Sequence, residues 1–234
     1  MRRGCKPEWW KVARDREAPE CRASLRHYPA DAWRRNDEAH ALHDLDPVFE
    51  EFSRRPDIKN LVSELGFSDP LLLQSMYIFK QANIGGEVTC HQDGTFLFAE
   101  PLRVLGLWFA LEDATTENGC LWAIPGGHKA GLKSRFVRTS TEADRLEAGY
   151  CPAETSKTHF EVFDDRPWPE ENLKPLEVEK GTLIVLHPLL PHLSRENSSP
   201  KSRHAYTLHI INSSADYPKE NWLQRAADMP PRGF

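Results

Sequence analysis

This sequence has no CxxC pair, and its five cysteines are an odd number scattered from Cys5 to Cys151. That pattern speaks against a zinc-thiolate site and against a disulfide framework, so reduced thiols are expected. An excess of positive charge is missing too: 30 Lys and Arg stand against 35 Asp and Glu, a formal net charge of −5. A general nucleic-acid binder is usually basic, so nucleic acid is not expected as a partner. Long apolar runs are also absent. The longest, Val104–Leu111, has eight residues, far short of the roughly 20 that span a bilayer. No hydrophobic segment opens the chain, and Arg232-Gly233-Phe234 is not a peroxisomal Ser-Lys-Leu ending. The expected location is therefore the cytoplasm.

What is present suits a β-rich fold. The 234 residues are enough for one domain with a substantial core. The 18 prolines and seven tryptophans fit a turn-rich β architecture better than a helical bundle. Residues 1–35 are charged, arginine-bearing and weakly patterned, and read as a loosely ordered arm. Residues 36–234 read as the domain proper. Asp46-Pro47 is a helix start with Val48, Phe49 and Phe52 behind it, and Asp57 could cap a second helix that Gly66 stops. From Pro70 the apolar period shortens to two. Strands are expected at Leu72–Lys80, Gly86–Gln92, Arg103–Leu111, Gly119–Ile124, Gly181–His187 and Arg203–Ile211. Residues 139–178 read as a long acidic, proline-bearing insertion. Many short strands with few helices predict a sandwich or jelly roll.

Histidines carry the chemistry. Residues i and i+2 of a strand share a face, so His91-Gln92-Asp93 would set an imidazole beside a carboxylate while Gln92 faces away. Those are two corners of a 2-His-1-carboxylate iron site. The motif is weak alone, because a surface hydrogen-bonded pair looks the same. A third ligand must come from a distant strand, and His187 and His192 flank Pro188-Leu189-Leu190-Pro191. After His192 a polar turn leads to Arg203, and a hairpin would bring that guanidinium back to grip a carboxylate. A packed strand histidine at His187 and a structural salt bridge at Arg203 are the plainer alternatives. Lys80 reads as a strand-end surface lysine, and Trp122 as a core aromatic.

Taken together, three stretches resemble the phytanoyl-CoA dioxygenase family. They are His91-Gln92-Asp93, Glu117-Asn118-Gly119-Cys120-Leu121-Trp122 through Pro125-Gly126-Gly127-His128, and His192 through Ser194, Asn197 and Ser199 to Arg203 and Ala205. Gln74–Gln81, Gly85–Val88 and Glu220–Gln224 add to the likeness, which covers roughly 36–226. The resemblance implies a mainly β fold, a double-stranded β-helix (jelly roll, cupin-like) with flanking helices. It implies an Fe(II)- and 2-oxoglutarate-dependent dioxygenase, with O2 as co-reactant and ascorbate as a candidate stimulant. Its partner would be a small organic, acyl-type substrate. By matching positions, His91, Asp93 and His192 would hold the metal, Arg203 and Ser194 the cosubstrate, and Trp108 would line the cosubstrate pocket; Trp108 also reads as a core aromatic. Three protein ligands leave three positions on an octahedral ion, two for a chelating oxo acid and one for O2. Residues 1–35 match the family poorly, and the family's cosubstrate-binding lysine has no assignable counterpart. The alternative is therefore a weak or inactive jelly roll that binds metal and 2-oxoglutarate without turnover. A zinc hydrolase leaves Arg203 unexplained.

Overall fold

The computed structural model describes residues 37–138 and 158–234. The expected arm at 1–35 and the first half of the expected insertion lie outside the described residues. Strand β1 (Asp37–His40) is followed by three short helices, α1 (Leu42–Leu45), α2 (Pro47–Ser53) and α3 (Pro56–Glu64). Helix α2 starts as Asp46-Pro47 predicts: Asp46 Oδ1 accepts from the Val48 and Phe49 amides at 2.9 and 3.4 Å, and Pro47 needs no amide partner in the first turn. Helix α3 corrects the expected cap. Pro56 opens it, and Asp57 sits inside the first turn, held by the Arg55 guanidinium at 2.9 and 3.0 Å.

Next come β2 (Pro70–Lys80), β3 (Val88–His91), the one-turn helix α4 (Asp93–Phe96), β4 (Val104–Ala110) and β5 (Leu121–Ala123). Then follow β6 (Ser134–Arg138), β7 (Thr158–Val162), β8 (Lys174–Leu176), β9 (Leu183–Leu186), β10 (His192–Ser194) and β11 (Arg203–Asn212). Each of the six expected strands is present, trimmed or extended at its ends. The expected insertion is a correction in its second half. Residues 158–178 are not loop throughout: β7 pairs with β6, with Phe160 opposite Phe136, and β8 pairs with β5, joined by an irregular stretch. The alternation in β7 is short and its side chains are exposed, so it carried no burial signal.

The strands form a jelly roll. One sheet runs β1-β2-β11-β4-β9, the other β3-β10-β5-β8, and β6-β7 make a separate ribbon. Strand β4 is buried at every position, because both its faces are covered. Leu105, Leu107 and Phe109 face outward and pack with Tyr206, Leu208 and Ile210 of β11 under Ile58 and Val62 of α3. Trp108 and Ala110 face inward, against Ala205 of β11, Leu186 of β9 and Leu121 of β5. The same alternation turns Arg203, Ala205, Thr207 and His209 of β11 inward. The inward row of β11 thus sets buried polar groups, Arg203, Thr207 and His209, beside the apolar Trp108 and Ala110 of β4.

Candidate metal centre

His91 ends β3, and its strand partner across the minor sheet is His192, the first residue of β10. Pairing places the two imidazoles 4.3 Å apart between centroids. Asp93 reaches them by a route that corrects the strand-alternation reading. The strand stops at His91, Gln92 takes an extended conformation at the cap position, and Asp93 opens α4. Gln92 does face away, and it is fully buried with its whole amide used. Nε2 donates to the Gly131 and Leu189 carbonyls, both at 2.8 Å, and Oε1 accepts the Lys133 amide at 3.0 Å. The Gly94 amide donates to the Pro188 carbonyl at 2.8 Å. These bonds hold the turn that carries Asp93 to the segment leading into His192.

Asp93 Oδ1 lies 3.8 Å from His91 Nε2 and 3.6 Å from His192 Nε2. Ligand atoms of all three fall within 4.8 Å of one another. One ion with bonds of about 2.0–2.2 Å can bridge such separations. The ring nitrogens facing away are anchored: His91 Nδ1 to the Thr89 carbonyl at 2.8 Å, and His192 Nδ1 to the Leu190 carbonyl at 2.9 Å. A carbonyl only accepts, so Nδ1 carries the proton and Nε2 presents its lone pair to the cluster. Burial, with His192 beside it, lowers the His91 pKa to about 4, so its imidazole is neutral at pH 7. Burial alone would raise the Asp93 carboxyl, but His192, His209 and His91 outweigh it and hold the group below the usual carboxylate range. Two imidazoles presenting Nε2 and one carboxylate are the donor set of a facial iron triad.

Arg203 is almost wholly buried where β11 begins, paired in register with Lys80 at the end of β2. Its Nη2 donates to Ser194 Oγ at 3.2 Å, and Ser194 Oγ donates to the Gly119 carbonyl at 2.8 Å. The guanidinium carbon lies 5.5 Å from the Trp108 ring centroid. Trp108 is a core residue, one of its two readings, and its ring lies beside the Arg203 guanidinium. Lys80 corrects the sequence reading. It is not at the surface but fully buried, and its ammonium donates to the carbonyls of Gly86, of Ser194 at 3.3 Å and of Arg195 at 2.7 Å. Its methylenes run past Gly119, where a Cβ would come within 2.7 Å of Lys80 Cδ.

His187 is exposed beyond β9, its ring 5.0 Å from that of His128, and it does not join the cluster. Trp122 is half-buried between two apolar clusters, under the Arg195 guanidinium. The sequence reading missed His209, whose Nε2 lies 3.5 Å from Asp93 Oδ2. The signal was available, since His209 falls on the inward phase of β11 that starts at Arg203. Among the described residues no helix is long and apolar enough to cross a membrane.

Fold and cluster together define a jelly roll with a two-histidine, one-carboxylate metal-binding constellation. The sequence model for phytanoyl-CoA dioxygenase (PhyH) matches residues 12–205. The chain belongs to this family. It is 50% identical over 201 residues to phytanoyl-CoA dioxygenase 1 of Oryza sativa subsp. japonica, which covers 84% of this chain and 64% of that protein. It is 42% identical over 197 residues to phytanoyl-CoA dioxygenase domain-containing protein 1 of Mus musculus, covering 83% of this chain and 64% of the relative. The chain thus spans less than two thirds of the length of these relatives. Among solved structures, EctD from S. alaskensis with 2-oxoglutarate and 5-hydroxyectoine superposes with a TM-score of 0.63 at 19% identity, covering 92% of this chain and 70% of that one. The non-heme alpha ketoglutarate dependent carbocyclase SnoK superposes with a TM-score of 0.65 at 20% identity, covering 94% and 82%. These likenesses show the jelly-roll fold.

Proposed function

We propose that the chain is an Fe(II)- and 2-oxoglutarate-dependent dioxygenase that hydroxylates a small organic substrate, releasing succinate and CO2. One observation carries this reading: two imidazoles with carbonyl-anchored Nδ1 atoms turn Nε2 toward Asp93 Oδ1, and a buried arginine stands on β11 of the other sheet, bonded to Ser194 two residues after His192. In this reading His91, Asp93 and His192 hold the ion. Ferrous iron and the oxo acid, when bound, supply the oxidising chemistry. The residues supply placement. Arg203 accounts for a diacid cosubstrate, because its planar fork can grip the remote carboxylate in bidentate fashion. Ser194 steadies that fork, and the Trp108 face shields it from water.

The side of the site beside His91 suits an apolar substrate. Phe96 meets the His91 ring edge to face at 5.8 Å, Phe136 follows at 5.7 Å from Phe96, and Phe160 lies tilted against Phe136 at 4.7 Å. Arg138 lies on the same face of β6 as Phe136. An acyl-type compound, apolar in body and anionic at one end, fits that order of groups. The test is an anaerobic visible spectrum with Fe(II), before and after 2-oxoglutarate, followed by a succinate assay in air. A new charge-transfer band and succinate formation that His192→Ala abolishes are expected. A band without succinate favours the binding-only jelly roll. No band in folded, iron-loaded protein overturns the proposal.

A further inference from the structure

Asp93 has a second oxygen that the triad does not use. Oδ2 points away from His91 and His192 toward β11, is buried, and has no well-formed hydrogen bond. The group nearest to donating to it is His209 Nε2 at 3.5 Å, on a side chain that is 5% exposed. The opposite ring nitrogen, His209 Nδ1, is buried and likewise without a partner among the described residues. An ionised carboxylate oxygen left unsatisfied in the interior is costly. The cheapest remedy is a proton on His209 Nε2 and a closing movement of a few tenths of an ångström. Space for it is reserved on the other side. Gly106 of β4 pairs with His209 across the sheet, and a Cβ there would stand 2.9 Å from Asp93 Oδ2.

We propose that His209 is a positioning residue for Asp93. It donates from Nε2 to Oδ2, so that Oδ1 and not Oδ2 faces the two ligating imidazoles, and Gly106 keeps the space that this pose needs. The proposal rests on the triad reading above. It makes the three histidines around Asp93 chemically unlike. His91 and His192 carry their proton on Nδ1 because carbonyls accept it there, whereas His209 carries it on Nε2. A donor behind a ligating carboxylate removes one of its competing orientations, and such partners typically alter metal affinity 10- to 100-fold.

The first test needs no variant and no metal. Long-range proton–nitrogen correlation spectra of the 15N-labelled protein at neutral pH report each histidine's tautomer. Nε2–H is expected for His209 and Nδ1–H for His91 and His192. A neutral His209 carrying its proton on Nδ1 overturns the proposal. The second test is Co(II) titration of the parent, His209→Leu and His209→Gln, with melting temperatures recorded alongside. His209→Leu is expected to bind Co(II) 10- to 100-fold more weakly and to shift the Co(II) absorption bands, and His209→Gln, which keeps an N–H donor, to recover most of the affinity. Equal affinity in a folded leucine variant overturns the assignment; if that variant does not fold, the tautomer result alone decides. A parent that binds no Co(II) or Fe(II) sinks the triad reading instead, a result distinct from a wrong tautomer.

Discussion

Arg203 and Lys80 are two buried cations paired across adjacent strands, yet the structure gives them different work. The ammonium of Lys80 is spent on backbone carbonyls from two separate segments. It ties the turn after β2 to the end of β10, and so fixes Ser194. Arg203 is held by Ser194 and faces Trp108. Arg203→Ala is therefore expected to weaken 2-oxoglutarate binding on the order of 100-fold, since charge-assisted bonds contribute roughly 1.5–3 kcal/mol. Titrating the charge-transfer band with the oxo acid checks this, and unchanged affinity with a large fall in rate would contradict the role. Lys80→Met should act on folding first. Three carbonyls lose their donor, and a loss on the order of 3 kcal/mol is expected in urea unfolding.

Turns set the site as much as strands do. Gly119, just ahead of β5, has φ +86° and lies against both Arg195 and Lys80. Gly119→Ala meets two penalties, a left-handed conformation costing about 1–2 kcal/mol and contacts of 2.7 Å to the Arg195 carbonyl and Lys80 Cδ. The expected cost is about 3 kcal/mol in denaturant midpoints, and a neutral result would mean the turn can move away from Lys80. The Gln92 turn shows why part of the site could not be read locally. His91 and Asp93 are legible as candidate ligands only through their order with His192 and Arg203, since the pair by itself reads equally well as a surface hydrogen-bonded pair. Strand alternation did not deliver them, however. Gln92 ends the strand because its amide is claimed by Gly131, Leu189 and Lys133, residues far away in the chain. His209 was legible by simple alternation from Arg203. The burial of Lys80 was not, because a lysine at a strand end reads as exposed until three carbonyls are brought to it.

The molecule is closed by contacts between its first described helix and its C-terminal segment. Asp44 of α1 is held by Arg54 and Arg232 at 2.8 Å each, and by Arg225. The Leu72 amide donates to the Arg232 carbonyl at 2.9 Å, which lays the C-terminal segment against β2. Beside Asp44, His43 is fully buried, with Nδ1 2.8 Å from Ser75 Oγ and Nε2 3.1 Å from Asp44 Oδ2. Asp44→Asn leaves several guanidinium groups facing a neutral amide, and a loss on the order of 3 kcal/mol is expected.

The same cluster sets an acid response. Burial lowers the His43 pKa to about 4 against Asp44, which works the other way, while Arg225 and Arg54 add to the lowering. An unfolded histidine takes its proton near 6.5. Between those values the unfolded chain binds more protons, so stability is full above about pH 6.5 and falls as pH drops toward 4, by on the order of 3 kcal/mol. His91 adds a fall of the same sign in metal-free protein. Below that, Asp44, held under the carboxylate range by its arginines against the opposing effect of burial, loses its contribution as it protonates. Urea midpoints between pH 7 and pH 4 should decline less steeply in His43→Gln than in the parent; an equal slope would place the acid sensitivity elsewhere.

Sequence by itself determined what depends on side-chain chemistry and short-range period. The alternating strands, the Asp46-Pro47 helix start, the imidazole–carboxylate pair, the late histidine and the arginine after it all follow from local patterns and motif order. Tertiary structure alone decided what depends on partners far apart in the chain. It ended β3 at His91, buried Lys80 on carbonyls, built β7 from an apparent insertion and set His209 behind Asp93. The reason is physical: a buried polar group is tolerable only where distant backbone or side-chain atoms come to meet it, and no stretch of local sequence carries that information.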